Sequence, residues 1–388
     1  MDGVPTNRYF DNAATSWPKP EAVYTAAEKY LRSCFGNPGR SGHTRSLEAD
    51  RIVYRARRQL ATFFNADNPA RIVFTLNATD ALNMAIKGIL KPGDHIILTA
   101  MEHNSVLRPL GGLQRAGLIT STVIPCSREG FPDLDHLEKA FRPHTRLVIC
   151  NHASNVTGTL LPVADIASLA HRKGALLLLD AAQTAGTIPI DVQNLQLDMM
   201  AFTGHKGLLG PTGTGGLYLR EGVEIDYWRE GGTGSYSERD LHPPKMPERL
   251  EAGTMNSFGL AGLNEGIKFI EKEGLPHIRC HEMALRGRLK KGLEKIPGVT
   301  TYGPINPEQS VGVLSFTVEG IDCGELGFSL EKDFGILTRS GLHCAPLAHQ
   351  AIGTYPRGTI RVSPGYFTGK KDIDLFINSV AQTIAAKF

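Results

Sequence analysis

Ala175-Leu-Leu-Leu-Leu-Asp180-Ala-Ala-Gln183 is an unbroken apolar run that ends on an acid and then on small residues. Four leucines without polar alternation describe a short strand buried on both faces, as in a parallel sheet covered by helices on either side. An acid directly after such a strand has two uses. It caps the next helix, or it faces the crevice at the carboxyl ends of the strands, where ligands of parallel α/β sheets bind. Similar runs lie on both sides: Arg71–Thr75, His95–Thr99, Thr122–Pro125 and Arg146–Cys150 before it, Met199–Thr203 and Gly216–Leu219 after it. Helical patterns alternate with them at Leu47–Phe64, Asp80–Leu90, Ser105–Arg115, Leu134–Phe141 and Val163–His171. That alternation predicts an α/β fold with a mostly parallel sheet of seven strands and helices on both faces. The last strand follows a glycine-rich link, Gly207–Gly215, and is free to pair in a different sense.

Beyond Leu219 the pattern changes. Residues 221–256 hold Gly231, Gly232, Gly234, Pro243, Pro244 and Pro247 without sustained periodicity, which predicts a long loop of the kind that tends to be functional. Helices resume at Gly259–Glu273 and Pro276–Lys295, with strands at Val311–Val318 and Thr359–Val362 and a last helix at Lys370–Lys387. The expected division is a large domain over residues 15–255 and a smaller α+β domain made of residues 1–14 and 256–388. At 41% hydrophobic and 21% charged residues the 388-residue chain can bury a large core, which excludes a disordered scaffold. Lys and Arg number 42 against 39 Asp and Glu, so nothing calls for a nucleic acid or a membrane as partner. Cys34, Cys126, Cys150, Cys280, Cys323 and Cys344 stand singly with no CxxC pair, so neither a metal site nor a redox dithiol is expected. Met1–Phe10 lacks the basic and apolar regions of a signal peptide, and no apolar stretch approaches the roughly 20 residues of a membrane span. The expectation is a reduced, cytoplasmic, soluble protein.

The chemistry concentrates where strands end. Ala201-Phe-Thr-Gly-His-Lys206-Gly207 closes a buried strand with a lysine. Such a lysine either reaches solvent or is used chemically, for example as a Schiff-base amine whose basicity burial lowers. Asp180 ends another strand 26 residues earlier. An acid that holds a pyridinium nitrogen and a lysine that carries the aldehyde of the same ring together tune pyridoxal 5'-phosphate as an electron sink. A phosphate cradle is offered by Leu76-Asn-Ala-Thr79-Asp-Ala-Leu82, which opens a helix after a strand, although ordinary capping explains the same residues. Neither GxxxxGK[ST] nor a strand-linked GxGxxG is present, which argues against nucleotide binding. Met101-Glu-His103-Asn104 puts a histidine where it can cover an aromatic face, or where it is merely solvated. Asn155, in Asn151-His-Ala-Ser-Asn155-Val-Thr-Gly158, reaches a ring oxygen or forms a turn.

Taken together these segments resemble the cysteine desulfurases, in the aminotransferase class V branch of fold-type I PLP-dependent transferases. The matching pieces are Tyr9-Phe-Asp-Asn-Ala-Ala14, Asn77-Ala-Thr-Asp80, Glu102-His103-Asn104, Ser154-Asn155-Val-Thr-Gly158, Asp180-Ala-Ala-Gln183, Thr203-Gly-His-Lys206, Glu251-Ala-Gly-Thr-Met-Asn256 and Arg339-Ser-Gly-Leu-His-Cys344. They run in the family's order over nearly the whole chain. The cysteine segment is similar to that of the SUF-type desulfurases and selenocysteine lyases, and the serine–glycine–serine–alanine–cysteine loop of the other main branch is absent. The resemblance implies that Lys206 forms the Schiff base, Asp180 pairs with the ring nitrogen and His103 stacks on the ring. Gln183 and Asn155 attend the ring hydroxyl or the substrate, and Thr79, Thr203 and His205 hold the phosphate. Thr254 is implied as a contribution from the second subunit of a homodimer. Arg361, in Thr359-Ile-Arg-Val-Ser363, matches the arginine that clamps the substrate carboxylate, and Arg339 guides the cysteine loop. Departures from the family pattern are Ala78 in place of threonine, Thr203 in place of serine, Ser340 and Leu342 in the cysteine loop, and Val-Ser-Pro-Gly-Tyr-Phe after Arg361.

The implied reaction takes L-cysteine to L-alanine and leaves a persulfide on Cys344, to be passed to a sulfur-acceptor protein. Cys344 needs to be a thiolate, and His343 is the neighbour expected to take its proton. Two rival enzymes share the cofactor residues: a lyase acting on L-selenocysteine, and a class V aminotransferase needing an α-keto acid. A sulfur-relay scaffold without turnover leaves Lys206, Asp180 and Arg361 jointly unexplained.

Overall fold

Buried strands flanked by amphipathic helices set the architecture of the computed structural model, which describes residues 8–34, 36–235 and 237–387. The expected strands form at β1 Ile72–Thr75, β2 His95–Thr99, β3 Thr120–Ile124, β4 Thr145–Asn151, β5 Leu176–Asp180, β6 Met199–Thr203 and β7 Gly215–Leu219. They make one sheet in the order β1-β7-β6-β5-β4-β2-β3. Neighbours from β3 to β6 run parallel, while β7 lies antiparallel to both β6 and β1. The glycine-rich link before β7 is thus a return connection that reverses one strand.

Alternate residues of every strand but the largely exposed β3 supply two cores, which is why most of the strands read as continuous apolar runs. Ile97, Val148, Leu177, Leu179 and Phe202 pack with the helices α2 (Thr44–Phe63), α6 (Val163–Arg172) and α7 (Ser257–Glu273). Ile96, Ile149, Leu178, Met199 and Ala201 face the other way, with α3 (Ala78–Ile89) and α4 (Asn104–Arg115). The helices α1 (Glu21–Ser33) and α5 (Leu134–Lys139) complete this layer, α1 lying against α7.

A second, antiparallel sheet follows: β8 (Val299–Tyr302), β9 (Leu314–Val318), β10 (Arg339–Gly341) and β11 (Thr359–Val362), in the order β10-β11-β9-β8. Its core is filled by α8 (Leu275–Leu293), α9 (Cys323–Phe334) and α11 (Lys370–Ala385), and a short helix, α10 (Pro346–Ile352), follows Cys344. Phe10 from the N-terminal arm is fully buried there against Phe376. The cut expected at residues 255/256 precedes α7, whose buried face nevertheless belongs to the larger core. Of the segment 1–14, residues 1–7 lie outside the described residues.

Residues 221–256 carry neither helix nor strand among those described. Their end is fixed by Glu251, which accepts from Arg57 at 2.7 and 2.8 Å and from the Phe74 amide at 2.7 Å. Among the described residues, no helix is long and apolar enough to cross a membrane.

Candidate active site

Because β1, β2, β4, β5 and β6 point the same way, their carboxyl ends meet at one edge of the sheet. A cavity of about 240 Å³ opens there, lined by Thr79, His103, Asn155, Asp180, Gln183, Thr203, His205 and Lys206, together with Asn77, Ser105 and Asn151. Five stretches that follow strands, with Ala14 of the N-terminal arm, therefore converge on a single crevice.

Each side chain is held from below. Asp180 is buried, and its Oδ1 accepts from the Ala182 amide at 2.9 Å. Burial raises its pKa, opposed by that amide and by the charge of Lys206. Burial also brings Lys206 down to about 8, with Arg361 pushing the same way and Asp180 opposing. His103 caps α4, and burial together with Lys206 and nearby arginines lowers it to about 4, so its ring is neutral. Thr79 Oγ1, Ser105 Oγ and His103 Nδ1 form a chain with steps of 2.7 and 2.9 Å. His205 is lowered to about 4 by burial and its two lysine neighbours. Its Nδ1 and the Oδ1 of Asn155 are buried polar atoms without a partner among the described residues.

Those orphaned atoms test the fit of a cofactor. A cavity with a nucleophilic amine, a buried acid, a flat neutral imidazole and hydroxyl groups beside the N-terminus of α3 suits a charged aromatic aldehyde bearing a phosphate. Pyridoxal 5'-phosphate would take Lys206 at its aldehyde, Asp180 at its ring nitrogen, and Thr79, Thr203 and His205 at its phosphate. Thr254 does not line this cavity; it is exposed, with Asn37 Nδ2 at 3.4 Å.

Arg361 and Cys344 do not line the cavity but bond residues in or next to its wall. Arg361 is 1% exposed; it donates to Asn155 O at 3.2 Å and pairs with Asp11 Oδ1 at 2.7 Å. Asp11 comes from the N-terminal arm, which pairs with the second sheet at Tyr9–Leu337 and Asp11–Ser363. The same arm reaches the large layer through Gln183 Nε2 to Ala13 O at 3.1 Å and Ser16 N to His205 O at 3.0 Å. It therefore spans from Arg361 to the peptide preceding Lys206.

The Cys344 turn is closed by long-range bonds: Asn104 N to Cys344 O and Asn155 Nδ2 to His343 O, both 2.7 Å. His343 and Cys344 both have left-handed backbones, with φ of +48° and +58°. The expectation for His343 does not hold. Its ring is buried, its Nε2 bonds Thr359 Oγ1 at 3.0 Å, and burial with the charge of Arg361 lowers it to about 2. The group at the sulfur is Arg339, whose Nη2 lies 3.3 Å from Sγ. Arg339 and Arg361 are direct cross-strand partners on β10 and β11. Like charges so placed repel, and the two are held apart by different acceptors, a thiol and a carboxylate.

Asp11 and Glu102 lie inside segments that match the family, and Ser105 is two residues after His103, but none of the three had an expected role. Glu102 is fully buried, and its Oε1 accepts from Thr99 Oγ1 at 2.6 Å and from the Asn151 amide at 3.0 Å, tying the His103 turn to β2 and β4.

The family model described as Aminotransferase class-V matches residues 8–376. A probable cysteine desulfurase of Methanothermobacter thermautotrophicus is 35% identical over 373 residues, covering 95% of this chain and 92% of the relative. A cysteine desulfurase of Escherichia coli O157:H7 is 35% identical over 355 residues, covering 89% and 86%. Among solved structures, the apo cysteine desulfurase of Thermococcus onnurineus NA1 superposes with a TM-score of 0.90 at 33% identity, covering 97% of this chain and 94% of that one.

Proposed function

The chain belongs to the aminotransferase class-V family, and on that premise we propose that it is a cysteine desulfurase that uses pyridoxal 5'-phosphate, converts L-cysteine to L-alanine and keeps the sulfur on Cys344. The observation that carries this reading is the tether between the thiol and the cavity. The Cys344 turn hangs from Asn104, next to His103, and from Asn155, which lines the cavity.

When bound, the cofactor supplies an electron sink for the bond broken at the substrate Cα. Arg361 binds the substrate carboxylate and so fixes which bond faces Lys206. The Lys206 amine takes the Cα proton. Asp180 keeps a negative charge beside the ring nitrogen, and the neutral His103 ring covers the ring face without adding charge. The Cys344 thiolate, beside Arg339, attacks the substrate sulfur. One S–S bond forms, the Cβ–S bond breaks and its electron pair passes to Cβ, which takes one proton; a second proton, returned to Cα, completes alanine.

The active unit is a homodimer in the cytoplasm, in which the partner subunit's Thr254 reaches the phosphate end and an acceptor protein collects the persulfide. Thr254 is exposed on its own chain, and α1 and α2 leave Tyr24, Leu31, Leu47 and Tyr54 exposed, which supports a second copy. The test supplies L-cysteine and a reducing thiol to the cofactor-loaded protein and measures both products. Alanine and sulfide in equal amounts are expected; sulfide with pyruvate instead of alanine, or no turnover, would overturn the assignment.

A further inference from the structure

Lys206 also lines a second cavity, of about 60 Å³, which shares Gln183 with the first but has a different wall. Much of that wall is apolar, including Leu209, Ile278, Val313, Pro364 and Phe367. The only ionisable side chains on it are Lys206, Glu282 and Tyr366. Tyr366 is committed elsewhere, its hydroxyl donating to Glu273 Oε2 at 2.9 Å. Glu282, on α8, is left as the one acid facing the same small space as the lysine. The cation acting on it, Arg279 one turn earlier, donates to the carbonyls of Ser310 and Glu308 at 3.2 and 3.0 Å. A space of this size holds a short file of waters. Glu282 is half-buried, and the partial loss of solvent raises its pKa to about 7, against the pull of Arg279. In that range a carboxyl both gives and takes a proton near neutral pH.

We propose that Glu282 is a positioning residue that acts through Lys206, carrying the lysine's proton to and from solvent along this second cavity. The inference rests on the reading of Lys206 as the group that takes the Cα proton. In the step, an N–H bond of the Lys206 ammonium breaks and an O–H bond forms on the Glu282 carboxylate through intervening water. The carboxyl then releases that proton to solvent; no electrons change hands and the reverse path restores it. The consequence is isotopic. A proton that stays on Lys206 is returned to the product, whereas a relayed one is replaced from water.

The test uses the cofactor-loaded enzyme, L-cysteine deuterated at Cα, and ordinary water, and measures the deuterium left at Cα of alanine. Wild type is expected to retain little. Glu282→Gln is expected to raise the retained fraction by roughly threefold or more and to lower kcat by no more than roughly tenfold, with KM and the cofactor absorbance unchanged. Glu282→Asp restores exchange, which a purely structural role would not produce. Alanine formed by Glu282→Gln with unaltered retention overturns the relay alone. Absence of alanine from the wild type overturns the function on which it rests.

Discussion

Lys206→Ala is expected to lose the covalently held cofactor and at least about 10⁴-fold of turnover, while its far-UV circular dichroism stays that of the parent. The lysine follows β6 and lines two cavities, and among the described residues no acid forms an ion pair with it. Burial and Arg361 bring it from the ordinary 10.5 to about 8. At pH 7 roughly one tenth of the amine is then neutral, against roughly one part in 3,000 for an ordinary lysine. The sign follows: reloading of the apoenzyme accelerates as pH rises towards 8 and levels off above it, because only the neutral amine attacks an aldehyde. Borohydride reduction followed by peptide mapping reads the adduct directly. Full stoichiometric labelling of Lys206→Ala, or a reloading rate that falls between pH 7 and 8, would contradict this assignment. Lys206→Arg, which keeps the charge and loses the nucleophile, is expected to match the alanine variant.

The second large effect is at the thiol. Cys344→Ser is expected to cut alanine formation from L-cysteine by roughly 10²- to 10³-fold and leave the cofactor absorbance as it is, because Cys344 does not line the cavity. Cys34, Cys150 and Cys323 are buried, so none substitutes for it, and the exposed Cys280 lies on α8. L-Selenocysteine separates two chemistries. If selenium departs without a protein nucleophile, the variant retains activity on that substrate alone. Alanine release from L-cysteine at the parental rate would show that Cys344 takes no part.

Much of the fold was legible because every strand but β3 is buried and bounded by loops, and the expected strands match the observed β1–β7 within two residues at either end. The site was legible where its residues follow those strands: Asp180, Lys206, Thr79, His103 and Asn155 converge because parallel strands share an edge. What escaped was set by distance along the chain or by weak local pattern. β10 is Arg-Ser-Gly, three residues without apolar alternation, and it exists because β11 offers it a partner. The helix α1 lacks a side-chain cap and is held by α7, more than two hundred residues away. Asp11 has no expected role until a chain reversal brings it to Arg361, 350 residues on. His343 failed as a base for a similar reason. Adjacency in sequence says nothing about the direction of a ring, and Thr359 takes it inward.

The back-to-back left-handed residues at the thiol turn set a limit on engineering. Each non-glycine residue held there costs of order 1 kcal/mol or more, and glycine would relieve it. A campaign that ranks variants by melting temperature alone would favour glycine at Cys344, where the side chain is only half-buried, and would reject it at His343, whose buried ring and bond to Thr359 would be lost. The exchange at Cys344 would delete the sulfur. At that residue a thermal screen and a turnover screen pull in opposite directions.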